Sequence, residues 1–197
     1  MIRKVFDMTC VASLIHKNHF FIAGDSRVSC GSSMINIPKT DRSMYPKIFT
    51  NSGFVIGVCD SIRVANVLKY SLKINTKKLH KYKNIYEFMV TEFVNNVRTC
   101  LTDSGCMRKF STSTEFANIE MIVMYRGEVY QVGSWFSVIK VEEPYFAIGS
   151  GASYAKGSLY STESIKNPKK RLKIAIDSAK KYQSGVGGDT VIFKYKV

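Results

Sequence analysis

The sequence predicts an α+β fold of four layers, αββα, with two packed antiparallel sheets flanked by pairs of helices. Three observations predict it. The elements read in the order ββ, αα, ββ, αα, β. The strand segments are apolar without a break, as strands buried on both faces are. The helical segments come in pairs. Two sheets stacked on each other with helices outside satisfy all three.

Thr9–Ile15 (TCVASLI) and His19–Ala23 (HFFIA) are short apolar runs separated by Lys17-Asn18, a hairpin signal. Residues 24–46 are rich in Gly, Ser, Asn and Pro and read as loops around one short strand, Ser33–Ile37. Lys47–Thr50 and Phe54–Val58 form a second hairpin about Asn51-Ser52-Gly53. Helical spacing begins at Asp60. Either Asp60 or Ser61 caps, and Ile62, Ala65, Leu68 and Leu72 share a face. A second helix follows Asn84 with the stripe Ile85, Phe88, Met89, Phe93, Val97 and Leu101, which a core-facing surface explains in full. Thr102–Phe116 reads as a polar loop. Strand patterns resume at Asn118–Tyr125, Glu128–Val132, Phe136–Val141 and Tyr145–Ile148, with Arg126-Gly127 as a turn. Ser153–Ser164 and Pro168–Tyr182 are the last helices, Pro168 suiting a first turn where its missing N–H costs nothing. Asp189–Lys196 closes as a strand. No repeat, linker or low-complexity stretch interrupts this order, so the chain reads as one domain.

Composition narrows the function. With 45% hydrophobic and 22% charged residues, the 197-residue chain has ordinary globular usage and needs no staple of disulfides or metal. The five cysteines are odd in number and follow no metal-ligand spacing, and the three histidines are scattered, which argues against zinc and for free thiols in a reducing, cytoplasmic setting. No apolar run approaches the roughly 20 residues of a membrane helix, and the start lacks an apolar signal core. The net charge of +14 gathers in Lys73–Lys83 and Lys166–Lys181. Such a field attracts polyanions, but the second cluster alternates with apolar residues at helical spacing. Solvated surface outweighs a nucleic-acid site by about three to one.

The common hydrolase signatures are missing: no G-x-S-x-G elbow, no H-E-x-x-H and no phosphate-binding loop. Four other segments stand in order along the chain. The first is MTCVASLIHKNHFFIAGDSRVS, where Asp25 follows Thr9 by sixteen residues within Gly24-Asp25-Ser26-Arg27. Then come Pro46-Lys47-Ile48-Phe49, the glycine turn Val55-Ile56-Gly57, and Ala147-Ile148-Gly149-Ser150-Gly151-Ala152. Together they resemble the proteasome β-subunit and HslV-like family of N-terminal-nucleophile hydrolases, including its small bacterial and phage members, over almost the whole chain from Thr9.

That resemblance implies a threonine-type peptidase cleaving unfolded polypeptide, without a cofactor, inside a homo-oligomeric ring or stacked assembly, with an AAA+ unfoldase as a partner. It casts Thr9 as the nucleophile, activated by its own free α-amino group, whose ordinary pKa of about 8 suits a base at neutral pH. Lys47 lowers the nucleophile's pKa, and Asp25 aims Lys47. Lys39 is the rival lysine, and Ile48-Phe49 decides for Lys47. The Gly57 N–H donates to the oxyanion, a contribution of about 3–4 kcal/mol. Ser150 orients the amine, and Ser29 pairs with an extended substrate. Val55 and Cys59, beside the glycine turn, line a pocket for apolar side chains.

Each residue also has a plainer reading. Thr9 can simply open a buried strand, Asp25 serve a turn, Gly57 allow close packing, and Ser150 cap a helix. The joint spacing decides for the site.

Three departures matter. Residues 1–8 precede the nucleophile and acylate its nitrogen, so they are expected to be an over-extended start or a short propeptide, leaving 9–197 as the domain. In Tyr182-Gln183-Ser184-Gly185-Val186-Gly187-Gly188, Gln183 and Val186 stand where the family carries Asp and Ser. The alternative reading is a non-catalytic structural or assembly subunit. A basic nucleic-acid-binding module ranks third.

Overall fold

The computed structural model describes residues 8–30, 33–37, 44–109 and 114–197. Residues 1–7 of the expected leader and the rival Lys39 lie outside them. The first sheet holds β1 (Val11–His16), β2 (His19–Asp25), β12 (Tyr145–Ile148) and β13 (Thr190–Lys196) in the order β12-β1-β2-β13. β1 and β2 are the hairpin expected around Lys17-Asn18, in register from Val11↔Gly24 to His16↔His19, and Lys17 takes the positive φ of the turn. The second sheet holds β5 (Ile48–Asn51), β6 (Phe54–Asp60), β9 (Ile119–Tyr125), β10 (Glu128–Val132) and β11 (Val138–Val141) in the order β11-β10-β9-β6-β5. Every pairing within both sheets is antiparallel.

Helices cover the sheets because each sheet has an apolar face to bury. α1 (Ile62–Ser71) starts at Ser61, whose hydroxyl accepts from Val64 N–H, while Asp60 ends β6 at φ +79°. α2 (Ile85–Phe88) passes through a π-turn at Met89–Phe93 into α3 (Val94–Asp103). These helices pack on the second sheet through Phe54, Phe88, Phe93, Val97 and Tyr125, with Phe54 stacked on Tyr125 at 3.9 Å between ring centroids. α4 (Ala152–Ser161) and α5 (Pro168–Tyr182) pack on the first sheet through Leu159, Leu172, Ile176 and Ala179. A third apolar cluster draws on both sheets, uniting Val11 and Ile22 of the first with Val55 and Ile122 of the second.

The structure departs from the sequence reading at element ends and in two small hairpins. β4 (Ser33–Asn36) is the short strand expected at Ser33–Ile37, and it pairs with β3 (Arg27–Cys30) in the stretch read as loop. The expected polar loop Thr102–Phe116 holds β7 (Met107–Lys109), paired with β8 (Glu115–Ala117). β3, β7 and β8 are only three or four residues long, too short for apolar alternation to announce them. β11 begins at Val138 because Phe136 sits at φ +60°, outside strand geometry. α4 stops three residues early, where the Thr162 hydroxyl turns back to the Ser158 carbonyl at 2.7 Å.

Candidate active site

β2 ends in a carboxylate that is fully enclosed. Asp25 Oδ1 accepts from Lys47 Nζ and from the Cys10 backbone N–H, both at 3.0 Å, and its side chain has no exposed surface. Oδ2 accepts from the Arg27 N–H at 3.3 Å and the Gly187 N–H at 3.1 Å. A buried carboxylate is tolerable only with such a set of donors. Lys47, equally sealed, spends a second proton on the Arg27 carbonyl at 2.6 Å. One atom, Asp25 Oδ1, thus joins the lysine to the residue that follows Thr9.

Tyr45, which the sequence did not single out, seals the far side by donating its hydroxyl to the Asp25 carbonyl at 2.7 Å. Gly24 makes this possible, since a Cβ there would stand 2.6 Å from the Tyr45 oxygen. Burial, then the Asp25 carboxylate, holds the Tyr45 phenol well above its ordinary value and the hydroxyl stays a donor. Burial likewise pushes the Cys10 thiol from 9.0 up to about 12, with Asp25 adding and Lys47 opposing.

Thr9 itself is buried, at 3% exposure, in the Met8-bearing chain. Its carbonyl accepts from the Gly151 N–H at 3.3 Å and, at the limit of hydrogen bonding, from the Ser150 hydroxyl at 3.5 Å. Ser150 therefore touches the carbonyl side of Thr9 in this form of the chain. Gly149, at φ +86°, is required twice over: a Cβ would stand 2.3 Å from the Thr9 carbonyl oxygen and 2.9 Å from Cys59 Sγ. The strand end that carries Thr9 thus adjoins a buried lysine–aspartate pair, through the Cys10 N–H, and a glycine-serine-glycine loop, through the Thr9 carbonyl.

Comparison with known proteins rests on shape. No family model and no curated protein matches the sequence. Solved structures do match. BPH of Thiobacillus denitrificans in complex with epoxomicin superposes with a TM-score of 0.72 at 13% identity, covering 95% of this chain and 98% of that one. HslV from Trypanosoma brucei gives 0.63 at 18% identity over 96% and 100%. Anbu (ancestral β-subunit) from Yersinia bercovieri gives 0.63 at 17% over 95% and 82%. The fold is proteasome-like.

Within this proteasome-like fold the remaining expected residues fall into two groups. Cys59 lies beside Gly149, and burial first, then Cys10 and Glu120, keeps its thiol well above the ordinary value. Ser29 lies on β3, its hydroxyl shielded and without a hydrogen-bond partner among the described residues. Gly57 and Val55 sit deeper. A Cβ on Gly57 would stand 2.8 Å from both Val11 and Ile22, so the glycine permits the two sheets to approach. Because the Val58 N–H bonds to the Lys47 carbonyl, the alternation of an antiparallel ladder turns the Gly57 N–H toward Ile122 of β9. Val55 lies in the same inter-sheet cluster.

Glu120 is the residue sequence reasoning missed. It pairs with Cys59 across the ladder, and its Oε2 accepts from the Gly149 N–H at 3.0 Å while Gln131 Nε2 holds Oε1 at 2.7 Å. A lone charge inside the apolar run IEMIVMY was the available signal. Among the described residues, no group of three or more His, Cys, Asp or Glu comes within reach of a shared metal ion. No described helix is long and apolar enough to cross a membrane.

Proposed function

We propose that the chain, once Thr9 is its first residue, is a threonine-type endopeptidase acting on unfolded polypeptide. It works as a four-layer αββα domain in a cytoplasmic homo-oligomer, with an AAA+ unfoldase as partner. One observation carries the chemistry: Asp25 Oδ1 holds both Lys47 Nζ and the N–H of the residue joined to Thr9. In the reaction the freed Thr9 amine takes the hydroxyl proton and the oxygen attacks the substrate carbonyl. Lys47 stabilises the developing charge on that oxygen. The amine's proton passes to the departing nitrogen, and water then hydrolyses the ester. Ser150 and the loop around it hold Thr9 in place, and Ser29 on β3 offers backbone to an extended substrate. Cys59 supplies a wall of the pocket. The Gly57 amide, expected to serve the oxyanion, is better read as a packing position. The homo-oligomer draws support from the likeness to HslV and Anbu, and the unfoldase from the resemblance carried by the sequence motifs alone.

The test uses a Thr9-started chain released from a cleavable fusion, incubated with a peptide epoxyketone and weighed intact. The epoxomicin complex of the similar Thiobacillus protein motivates the probe. One adduct mapped to Thr9 is expected, with none on the full chain. A folded Thr9-started chain that takes no adduct overturns the proposal. The second reading is a non-catalytic assembly subunit, in which Met8 stays bonded to the Thr9 nitrogen and keeps its contact with Gly185. Persistence of residues 1–8 in protein purified from its natural source supports that reading.

A further inference from the structure

The residue before Thr9 has a seat of definite shape. Met8 lies across the turn that follows α5, where its Sδ accepts from Gln183 Nε2 at 3.5 Å. Gly185 leaves room for it: a Cβ there would stand 2.1 Å from Met8 Cβ, 2.6 Å from Cγ and 2.4 Å from Cε. Gly185 is not among the glycines at positive φ, so the turn does not require it. The missing side chain answers to Met8. Met8 lies along Gly185 from Cβ to Cε, as an unbranched side chain can, and its close approach at Cβ disfavours a branch there. The Gln183 amide adds a donor matched to a weakly accepting thioether.

We propose that the Gln183–Gly185 turn is a subsite for the substrate residue on the leaving side of the scissile bond. It prefers methionine and similar unbranched side chains, and Met8 fills it until Met8 is removed. The inference rests on the peptidase reading. In that reaction the Thr9 oxygen bonds to the substrate carbonyl carbon and the carbon–nitrogen bond breaks. The proton that the Thr9 amine took from the hydroxyl goes to the departing nitrogen, so that nitrogen must come within hydrogen-bond reach of the Thr9 nitrogen. Met8 is bonded to the same nitrogen in the uncut chain. Its removal opens the volume adjoining the proton donor, and the side chain next to the departing nitrogen is directed there.

Two experiments decide it. In the full chain, Gly185→Ala is melted beside wild type, and again in a Met8→Gly background. A drop in Tm that shrinks by at least half when Met8 is glycine supports the seat, and equal drops overturn it. The Thr9-started chain, checked for native circular dichroism, is then given peptides differing only in Met, Gly or Val after the cleavage point. The methionine peptide is expected to lead the valine peptide by about tenfold in kcat/KM. Gly185→Ala is expected to lower the ratio of methionine to glycine cleavage toward one. Equal cleavage of all three by wild type overturns the subsite and leaves the peptidase standing. If no peptide is cut and no epoxyketone adduct forms, the peptidase and the subsite fall together, and the melts report on the Met8 contact alone.

Discussion

Asp25 and Lys47 meet at 3.0 Å in a place that water does not reach. The pair ties β2 to the entry of β5 and thereby one sheet to the other. Its two charges are compensated within the protein, by each other and by backbone groups.

Removing the lysine alone should therefore be severe. Lys47→Met leaves an uncompensated carboxylate and is expected to cost about 3–5 kcal/mol of stability. Urea denaturation measures the loss, and the same variant in the Thr9-started chain should take no epoxyketone adduct. A loss under about 1 kcal/mol contradicts the sealed pair.

Gly149→Ala attacks the site from the other side. Positive φ and the contact with the Thr9 carbonyl both oppose a methyl group there. The expected outcome is a Thr9-started chain with native-like circular dichroism and at least a hundredfold slower adduct formation. Adduct formation at the wild-type rate rejects this placement of the loop.

Glu120 tethers that loop through the Gly149 N–H. Glu120→Ala removes a charge-assisted hydrogen bond and should slow adduct formation by about tenfold, with Glu120→Gln falling between it and wild type. If Glu120→Gln matches Glu120→Ala, the charge rather than the acceptor matters. If both match wild type, the tether has no role.

Alkaline pH should unfold the chain earlier than its lysines alone demand. Below about pH 9, Cys10 keeps its proton in both states and adds no slope. Between 9.0 and about 12 the unfolded thiol ionises while the buried one does not. The native state then binds more protons, so stability falls as pH rises, by about 1.4 kcal/mol per unit for this one group. Cys59 and Tyr45, both raised by burial, act in the same direction. Urea midpoints at pH 7, 9 and 10 test the trend, and Cys10→Ala should flatten it.

How much of this was legible in the chain depended on distance. Thr9, Asp25 and Lys47 were legible only through the ordered segments that resemble the proteasome β-subunit family; each alone reads as an ordinary strand, turn or surface residue. Periodicity also placed α1, α5 and the strands around them. It could not say which way the Gly57 amide points, because that depends on which neighbour Val58 bonds. Tyr45 and Glu120 reach their partners across 20 and 29 residues, without any local pattern. β4 was read as a short strand, but its partner β3 and the β7–β8 hairpin were missed for a related reason. These strands are three or four residues long, too short to advertise a buried face.

The four donors on Asp25 come from residues 10, 27, 47 and 187. A ribosome delivers the first three long before the fourth. Until Gly187 emerges and docks, the carboxylate lacks a partner, and no half-made polypeptide carries the finished centre. For a molecule proposed to cut other chains as they lie unfolded, the timetable of its own synthesis is a safety catch.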